Sequence, residues 1–179
     1  MRIAVYCSSS AAIDQKYLDL ASDLGRAIGA RKWNLVTGGG QISMMGAVSD
    51  AAREAGAHTI GVIPQALVDI EFIDRDSQEI HVVDTMRQRK AMIEEFADAF
   101  ITLPGGLGTM EELFEMWVSS YLGMHTKTLI VLDPFDYYAP LRLLVDKFEA
   151  EGFVKPGQRQ IVQWCTSIDE ALNKCENLA

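Results

Sequence analysis

Two glycine-rich turns carry the most distinctive chemistry of the sequence. The first spans Thr37–Gly46 and contains three successive glycines, and the second spans Pro104–Thr109. Each follows a short apolar run typical of a strand and precedes an amphipathic run typical of a helix. Glycine lets the backbone turn sharply and approach a ligand closely, and the following helix offers free N–H groups and a positive dipole end. The turns either serve chain reversal alone or, as we expect from two in one small sheet, bind a phosphate or carboxylate.

A carboxylate and a basic cluster accompany these turns. Glu112 lies three residues after Thr109. That spacing is typical of a capping box, but it also suits a carboxylate beside a bound phosphosugar, where it would activate water or stabilise an oxocarbenium-like ribose. The segment Met86–Lys90 contains three cations and opens a predicted helix. It is either a solvated basic turn or an anion site in which arginine binds phosphate through its planar fork.

The motifs of several common enzyme classes are missing from the sequence. Neither glycine turn fits the P-loop pattern, and the first strand ends in Cys7–Ser10 instead of a dinucleotide fingerprint. There is also no Ser/His/Asp or Cys/His signature of an acyl transferase. These observations disfavour a P-loop NTPase, a dinucleotide oxidoreductase and an acyl-transfer enzyme.

The composition and net charge of the sequence indicate which binding partners and which cellular compartment suit the protein. The 179 residues are 49% hydrophobic and 23% charged, as in a globular domain, and the net charge is −9. An acidic surface argues against general binding to nucleic acid or to an anionic membrane. Cys7, Cys165 and Cys175 form no metal-ligand cluster in the sequence, so we expect no metal site, and their odd number suits a reducing compartment. Without a signal-peptide pattern or an 18-residue apolar run, we expect a cytoplasmic protein.

The elements that must position these residues alternate between strands and helices. The predicted strands are Ile3–Cys7, Asn34–Thr37, His58–Ile63, Ile80–Val83, Ala99–Leu103, Thr128–Leu132 and Ile161–Trp164. The predicted helices are Asp14–Gly29, Ser43–Ala55, Met86–Phe96, Thr109–Leu122, Tyr137–Glu151 and Ser167–Cys175. This order predicts one Rossmann-like, doubly wound α/β domain over residues 1–179, with a mostly parallel sheet and helices on both faces. Ligands bind such sheets at the carboxyl ends of the strands.

An apolar stripe follows the second glycine turn at helical spacing. It either packs against the sheet or, through its aromatic members, belongs to a subunit interface. Its members are Met110, Leu113, Phe114, Trp117 and Tyr121.

Several motifs along the sequence resemble those of the LONELY GUY family, once labelled "possible lysine decarboxylases". Pro104–Glu112 matches P-G-G-x-G-T-x-x-E, and Gly38–Gly46 resembles G-G-G-x-x-G-L-M-G. Met86–Lys90 resembles M-H-x-R-K, with Arg87 in place of the histidine. Gly61–Pro64 and the stretch 122–127 also look familial, and the resemblance covers about Ile3 to Val154.

This resemblance implies a phosphoribohydrolase that cleaves the N-glycosidic bond of AMP or an N6-substituted AMP, giving the free base and ribose 5-phosphate. The family needs no cofactor and is typically homodimeric. Carried over by motif, Arg89 and Glu112 are the catalytic pair. The implied substrate-binding residues are Glu71, Lys90, Pro104, Gly105, Gly106, Leu107, Gly108 and Thr109, and we add Gly39 and Gly40 from the first turn.

Two other functions remain open at this point. A non-catalytic nucleotide carrier or sensor would use the same phosphate pocket. A decarboxylase, as the older label suggests, would use Lys90 as a Schiff-base lysine for pyridoxal phosphate, although the sequence shows no pattern for a pyridinium partner.

Overall fold

The fold is a parallel sheet between two layers of helices. The structure is a computed structural model, and it describes residues 1–68 and 72–176. The strands are β1 (Arg2–Tyr6), β2 (Asn34–Thr37), β3 (Thr59–Pro64), β4 (Glu79–Val83), β5 (Ala99–Thr102), β6 (Thr128–Leu132) and β7 (Val162–Cys165). The helices are α1 (Gln15–Ala30), α2 (Ser43–Glu54), α3 (Met86–Phe96), α4 (Leu107–Tyr121), α5 (Ala139–Ala150) and α6 (Ile168–Glu176). None of these helices is long and apolar enough to cross a membrane.

The strand order is β4-β3-β2-β1-β5-β6-β7, and every neighbouring pair is parallel. The chain winds outward from β1 to β4, returns beside β1 as β5, and winds to the other edge. This arrangement confirms the prediction of a doubly wound α/β fold. The winding reverses between β1 and β5, where Ile3 pairs with Ala99 and Val5 with Ile101. Ligands bind at the carboxyl side of such a switch point.

Helices cover both faces of the central sheet, which explains why its central strands are almost continuously apolar. Ile3 and Val5 of β1 point into one core with α1, α2 and α6. Ala4 and Tyr6 of the same strand point into a second core with α3, α4 and α5. The two cores hold the carboxyl ends of the central strands, and therefore the turns that follow them, in fixed relative positions.

The helices around the site begin in different ways. At α3, Thr85 and Gln88 form a reciprocal capping box, so this helix needs no ligand at its N-terminus. Helix α4 begins at Leu107, two residues before the predicted start, and Gly106 at its N-cap supplies no side-chain cap. Thr109 and Glu112 therefore lie inside the helix, and the capping-box interpretation of this pair is wrong.

Candidate functional site

A cleft of about 350 Å³ lies at the switch point, above the carboxyl ends of the central strands. This volume is in the range of small-ligand sites. Most of its lining comes from the turn after β1, the first half of α3 and the N-terminal turns of α4, and Met45 of α2 and Leu67 after β3 complete it. The residues that line the cleft are Cys7, Ser8, Ser9, Ser10, Met45, Leu67, Met86, Arg89, Gly106, Gly108, Thr109, Glu111 and Glu112.

The N-terminus of α4 opens onto this cleft without a side-chain cap. Gly106 and Gly108 both have room for a methyl group, since no described atom lies within 4 Å of the position it would take. Neither has a positive φ, so the fold itself does not require glycine at either position. Glycine is required there if a ligand approaches the backbone closely. An uncapped helix N-terminus of this kind suits an anion, because the first N–H groups of a helix have no partner within it.

Gly105 has a different explanation, which lies within the protein. A methyl group on this residue would overlap the side chain of the buried Thr109. Its carbonyl oxygen accepts a hydrogen bond of 3.0 Å from the hydroxyl of Tyr137, which precedes α5. Gly105 and Pro104 line a smaller cavity of about 190 Å³ that adjoins the cleft at Ser8, Ser10 and Gly106.

Arg89 enters the cleft from α3 and is only 4% exposed. Its Nη2 donates a hydrogen bond of 2.9 Å to the carbonyl oxygen of Gly38, directly after β2. The sulfur atoms of Met45 and Met86 contact the guanidinium at 3.9 Å and 3.8 Å. These contacts fix the planar cation at the edge of the cleft, where its charge adds to the positive end of the α4 dipole.

Glu112 lines the same cleft from the second turn of α4. Its charge acts on Tyr6, the last residue of β1, whose ring stacks on Phe100. Burial raises the pKa of Tyr6 well above its usual value, and the negative charges of Glu112 and Glu115 raise it further. The tyrosine therefore stays neutral at physiological pH.

Lys90 takes a different direction from its neighbour Arg89. Its ammonium group binds the carboxylates of Glu111 and Glu115 on α4, the second at 2.6 Å, and it does not belong to the described lining of the cleft. Burial lowers the pKa of Lys90, but the hydrogen bonds to Glu111 and Glu115 raise it by more, so the net shift is upward. A Schiff-base lysine needs the opposite environment, one that lowers its pKa. This geometry disfavours the decarboxylase hypothesis.

Two glycines of the first turn, Gly39 and Gly40, support the site from outside the described lining of the cleft. Gly39 has φ of +75°, and its backbone oxygen accepts a hydrogen bond of 2.9 Å from the N–H of Asp74. Gly40 forms an isolated antiparallel bridge with Ile73. These glycines fasten the turn to the segment that precedes β4, and neither is among the described lining residues.

The predicted site residues therefore divide into groups. The cleft brings together Arg89, Gly106, Gly108, Thr109 and Glu112. The adjoining cavity holds Pro104 and Gly105. Four predicted residues line neither space: Gly39, Gly40, Lys90 and Leu107, of which Leu107 is 91% exposed. Glu71 lies outside the described residues.

Sequence reasoning expected ligands at the carboxyl end of the first strand, but it assigned no site role to the serines that follow this strand. Ser8, Ser9 and Ser10 line the cleft, and the hydroxyl of Ser43 donates a hydrogen bond of 2.6 Å to the carbonyl oxygen of Ser10. The available signal was their position directly after β1, because the central strand of a doubly wound sheet ends at the switch point. Hydroxyl and backbone groups there suit a phosphate or a sugar.

Fold and site together define an α/β protein of the Rossmann-like class, with a cleft at the switch point of its sheet. A family model described as "Possible lysine decarboxylase" matches residues 45–175. The chain is 45% identical to the cytokinin riboside 5'-monophosphate phosphoribohydrolase of Mycobacterium marinum, over 97% of this chain and 92% of that protein. The Arabidopsis thaliana enzyme of the same name, LOG5, is 41% identical over 98% of this chain and 77% of its own length. The chain belongs to this family, the LONELY GUY family.

Solved structures of more distant proteins share the fold. The molybdenum cofactor carrier protein of Chlamydomonas reinhardtii aligns with a TM-score of 0.75 at 20% identity, covering 99% of this chain and 96% of that one. The molybdenum cofactor binding protein of Rippkaea orientalis aligns with a TM-score of 0.73 at 22% identity, covering 98% and 95%. These likenesses support the Rossmann-like architecture alone.

Proposed function

We propose that the chain hydrolyses the N-glycosidic bond of AMP or an N6-substituted AMP and releases the free base and ribose 5-phosphate. One observation carries this proposal: Arg89 from α3 and Glu112 from α4 line one cleft, onto which the uncapped N-terminus of α4 opens. The identity to phosphoribohydrolases over nearly the whole chain supports it. The small-molecule partner is accordingly a nucleoside 5'-monophosphate bound by the single α/β domain.

The α4 N-terminus binds the 5'-phosphate in this mechanism. Gly106 and Gly108 line the cleft at the start of the helix, and the helix dipole favours the dianion. The smallness of both residues lets the phosphate oxygens approach the backbone. Arg89, held by Gly38, adds a fixed positive charge beside the nucleotide. The phosphate thus sets the position of the ribose relative to the second turn of the helix.

Glu112 acts at the ribose. As the bond between C1' and the base nitrogen breaks, positive charge develops on the sugar, and a nearby carboxylate stabilises it. The same carboxylate accepts a proton from the water that attacks C1'. Overall, water supplies the hydroxyl group of ribose 5-phosphate and the proton of the released base, so the reaction needs no redox partner.

Base release from AMP and from N6-isopentenyl-AMP tests the proposal directly, with free base and ribose 5-phosphate followed by chromatography. Glu112→Gln removes the charge but keeps the shape, and we expect it to retain the fold and to lower kcat by at least about 100-fold. Glu95→Gln, at an exposed position on α3, is the matched control and should keep wild-type turnover. Tight AMP binding without base release would instead identify a nucleotide carrier or sensor.

We also propose that the protein forms a homodimer in the cytoplasm. An apolar groove of about 170 Å³ between α4 and α5 supports the dimer, and it is lined by Phe114, Trp117, Val118, Tyr121, Val145, Phe148, Val154 and Gln158. The exposed Leu122 and Met124 extend the apolar surface beyond α4. Reduced thiols at Cys165 and Cys175 suit a reducing compartment. The molar mass from light scattering should be about twice the 19.8 kDa of one chain for the wild-type protein, and Val118→Glu should have the mass of one chain.

A further inference from the structure

One ammonium group joins the two helices that carry the proposed catalytic pair. Lys90 is only 9% exposed, and its Nζ binds Glu111 and Glu115, which lie one helical turn apart on α4. Two like charges at this spacing repel each other on an isolated helix. Lys90 offsets that repulsion while it anchors α4 to α3. The three side chains are called the ion clamp below.

The ion clamp lies directly beside the catalytic pair in the sequence of both helices. Arg89 precedes Lys90 on α3, and Glu112 follows Glu111 on α4. Successive residues of a helix point about 100° apart, since a turn contains 3.6 residues. When Lys90 is held against α4, the directions of Arg89 and Glu112 are therefore set as well. A rotation of either helix that opens the clamp also turns a catalytic side chain.

We propose that Lys90 is a positioning residue, which through the ion clamp fixes Glu112 relative to Arg89 and does not itself bind the substrate. This inference rests on the proposed function and deepens it. Charge balance supports it, because one lysine against two glutamates leaves a net negative cluster that repels a phosphate dianion. The position of Lys90 outside the described lining of the cleft supports it too.

The kinetic test compares Lys90→Met, Glu115→Gln and the double variant with wild type. A displacement of about 1 Å at a catalytic group can lower the rate about 100-fold. We therefore expect Lys90→Met to lower kcat by at least about tenfold while KM stays within about threefold. Glu115→Gln should lower kcat in the same direction. Because the two residues act through one contact, the double variant should be no slower than Lys90→Met alone.

Lys174→Met on α6 is the matched control, since Lys174 makes an ion pair of 3.1 Å with Glu170 and neither residue is in the described lining of the cleft. It should leave kcat and KM unchanged. If Lys90→Met raises KM while Glu115→Gln changes nothing, Lys90 binds substrate directly and the positioning role is wrong. Unchanged kinetics in Lys90→Met also overturn it. Should Lys90→Met not fold, Glu115→Gln decides alone: a lower kcat at constant KM supports the clamp, and unchanged kinetics refute it.

Failure of the proposed function gives a separate result. Wild-type protein that releases no base from either nucleotide refutes the hydrolase, whatever Lys90 does. The clamp is then judged by the free energy of unfolding in denaturant titrations. Non-additive effects of Lys90→Met and Glu115→Gln on that free energy support coupling through the clamp, and additive effects refute it.

Discussion

Arg89 donates a hydrogen bond of 2.9 Å from Nη2 to the carbonyl oxygen of Gly38, a residue 51 positions earlier in the chain. A methyl group on Gly38 would overlap this guanidinium. The glycine is therefore required by the close approach of a side chain and not by an unusual φ. This contact makes the first glycine turn and the basic segment of α3 one structural unit beside the cleft.

Gly38→Ala should displace Arg89 and leave the rest of the protein intact. The new methyl group meets the far end of a flexible side chain, which can move at little cost in stability. We expect kcat for base release to fall by about 100-fold, because the fixed cation leaves its position. The melting temperature should stay within about 4 °C of wild type. Wild-type turnover in the folded variant would show that Arg89 does not depend on this contact.

The sequence predicted the order of the elements well because the sheet is buried on both faces. Strands such as β1 and β6 are almost wholly apolar, and the helices between them show one apolar stripe each. The predicted ends of the elements were less accurate where a glycine stands at the end of a helix. Helix α4 begins at Leu107 rather than Thr109, because its N-cap is a glycine that carries no capping side chain.

The site was predicted in part, and the reason lies in side-chain direction. Motif spacing identified the region of Arg89 and Glu112, and the structure places both in one cleft. The same motif could not show that Lys90, one residue further, turns toward Glu115. That direction depends on how α3 and α4 pack on the sheet, which local sequence does not contain. The roles assigned to these residues remain predictions for the experiments above.

Gly108→Ala separates a ligand-driven glycine from a structural one. The new methyl group has open space in the protein, and the backbone φ of residue 108 is one that alanine adopts without strain. We expect no loss of stability, because alanine within a helix is intrinsically favoured over glycine by about 1 kcal/mol. If the 5'-phosphate approaches the start of α4, the methyl group obstructs it. KM for AMP should then rise at least about tenfold. A KM equal to wild type would show that the phosphate binds elsewhere.

A buried ion pair holds the segment before β4. The Nη1 of Arg53 contacts Oδ2 of Asp74 at 2.6 Å, and Asp74 is 1% exposed. Asp74→Ala leaves the largely buried arginine without this partner, so it should lower the free energy of unfolding by about 3 kcal/mol in denaturant titrations. Asp23→Asn breaks the exposed pair with Arg26 and should cost less than about 1 kcal/mol. Equal effects of the two variants would contradict this role of Asp74.

The two thiols near the C-terminus should make the folded state less stable at alkaline pH. Burial raises the pKa of Cys165, and it raises the pKa of Cys175 to about 12, with the nearby Cys165 adding to the effect. An unfolded thiol titrates near pH ~8.5. Between these values the folded state binds more protons than the unfolded state, so stability is full below about pH 8.5 and falls as the pH rises toward 12.

The melting temperature, measured from pH 7 to 10.5, follows this dependence. Cys175→Ala should lower the melting temperature at every pH, but it should also make the melting temperature fall less steeply as the pH rises. Iodoacetamide at pH 8 provides a second measurement, with peptide mapping to assign the modified residue. Native Cys175 should react far more slowly than in the urea-unfolded chain, because alkylation requires an exposed thiolate. Equal rates in the two states would mean that α6 does not bury this thiol in solution.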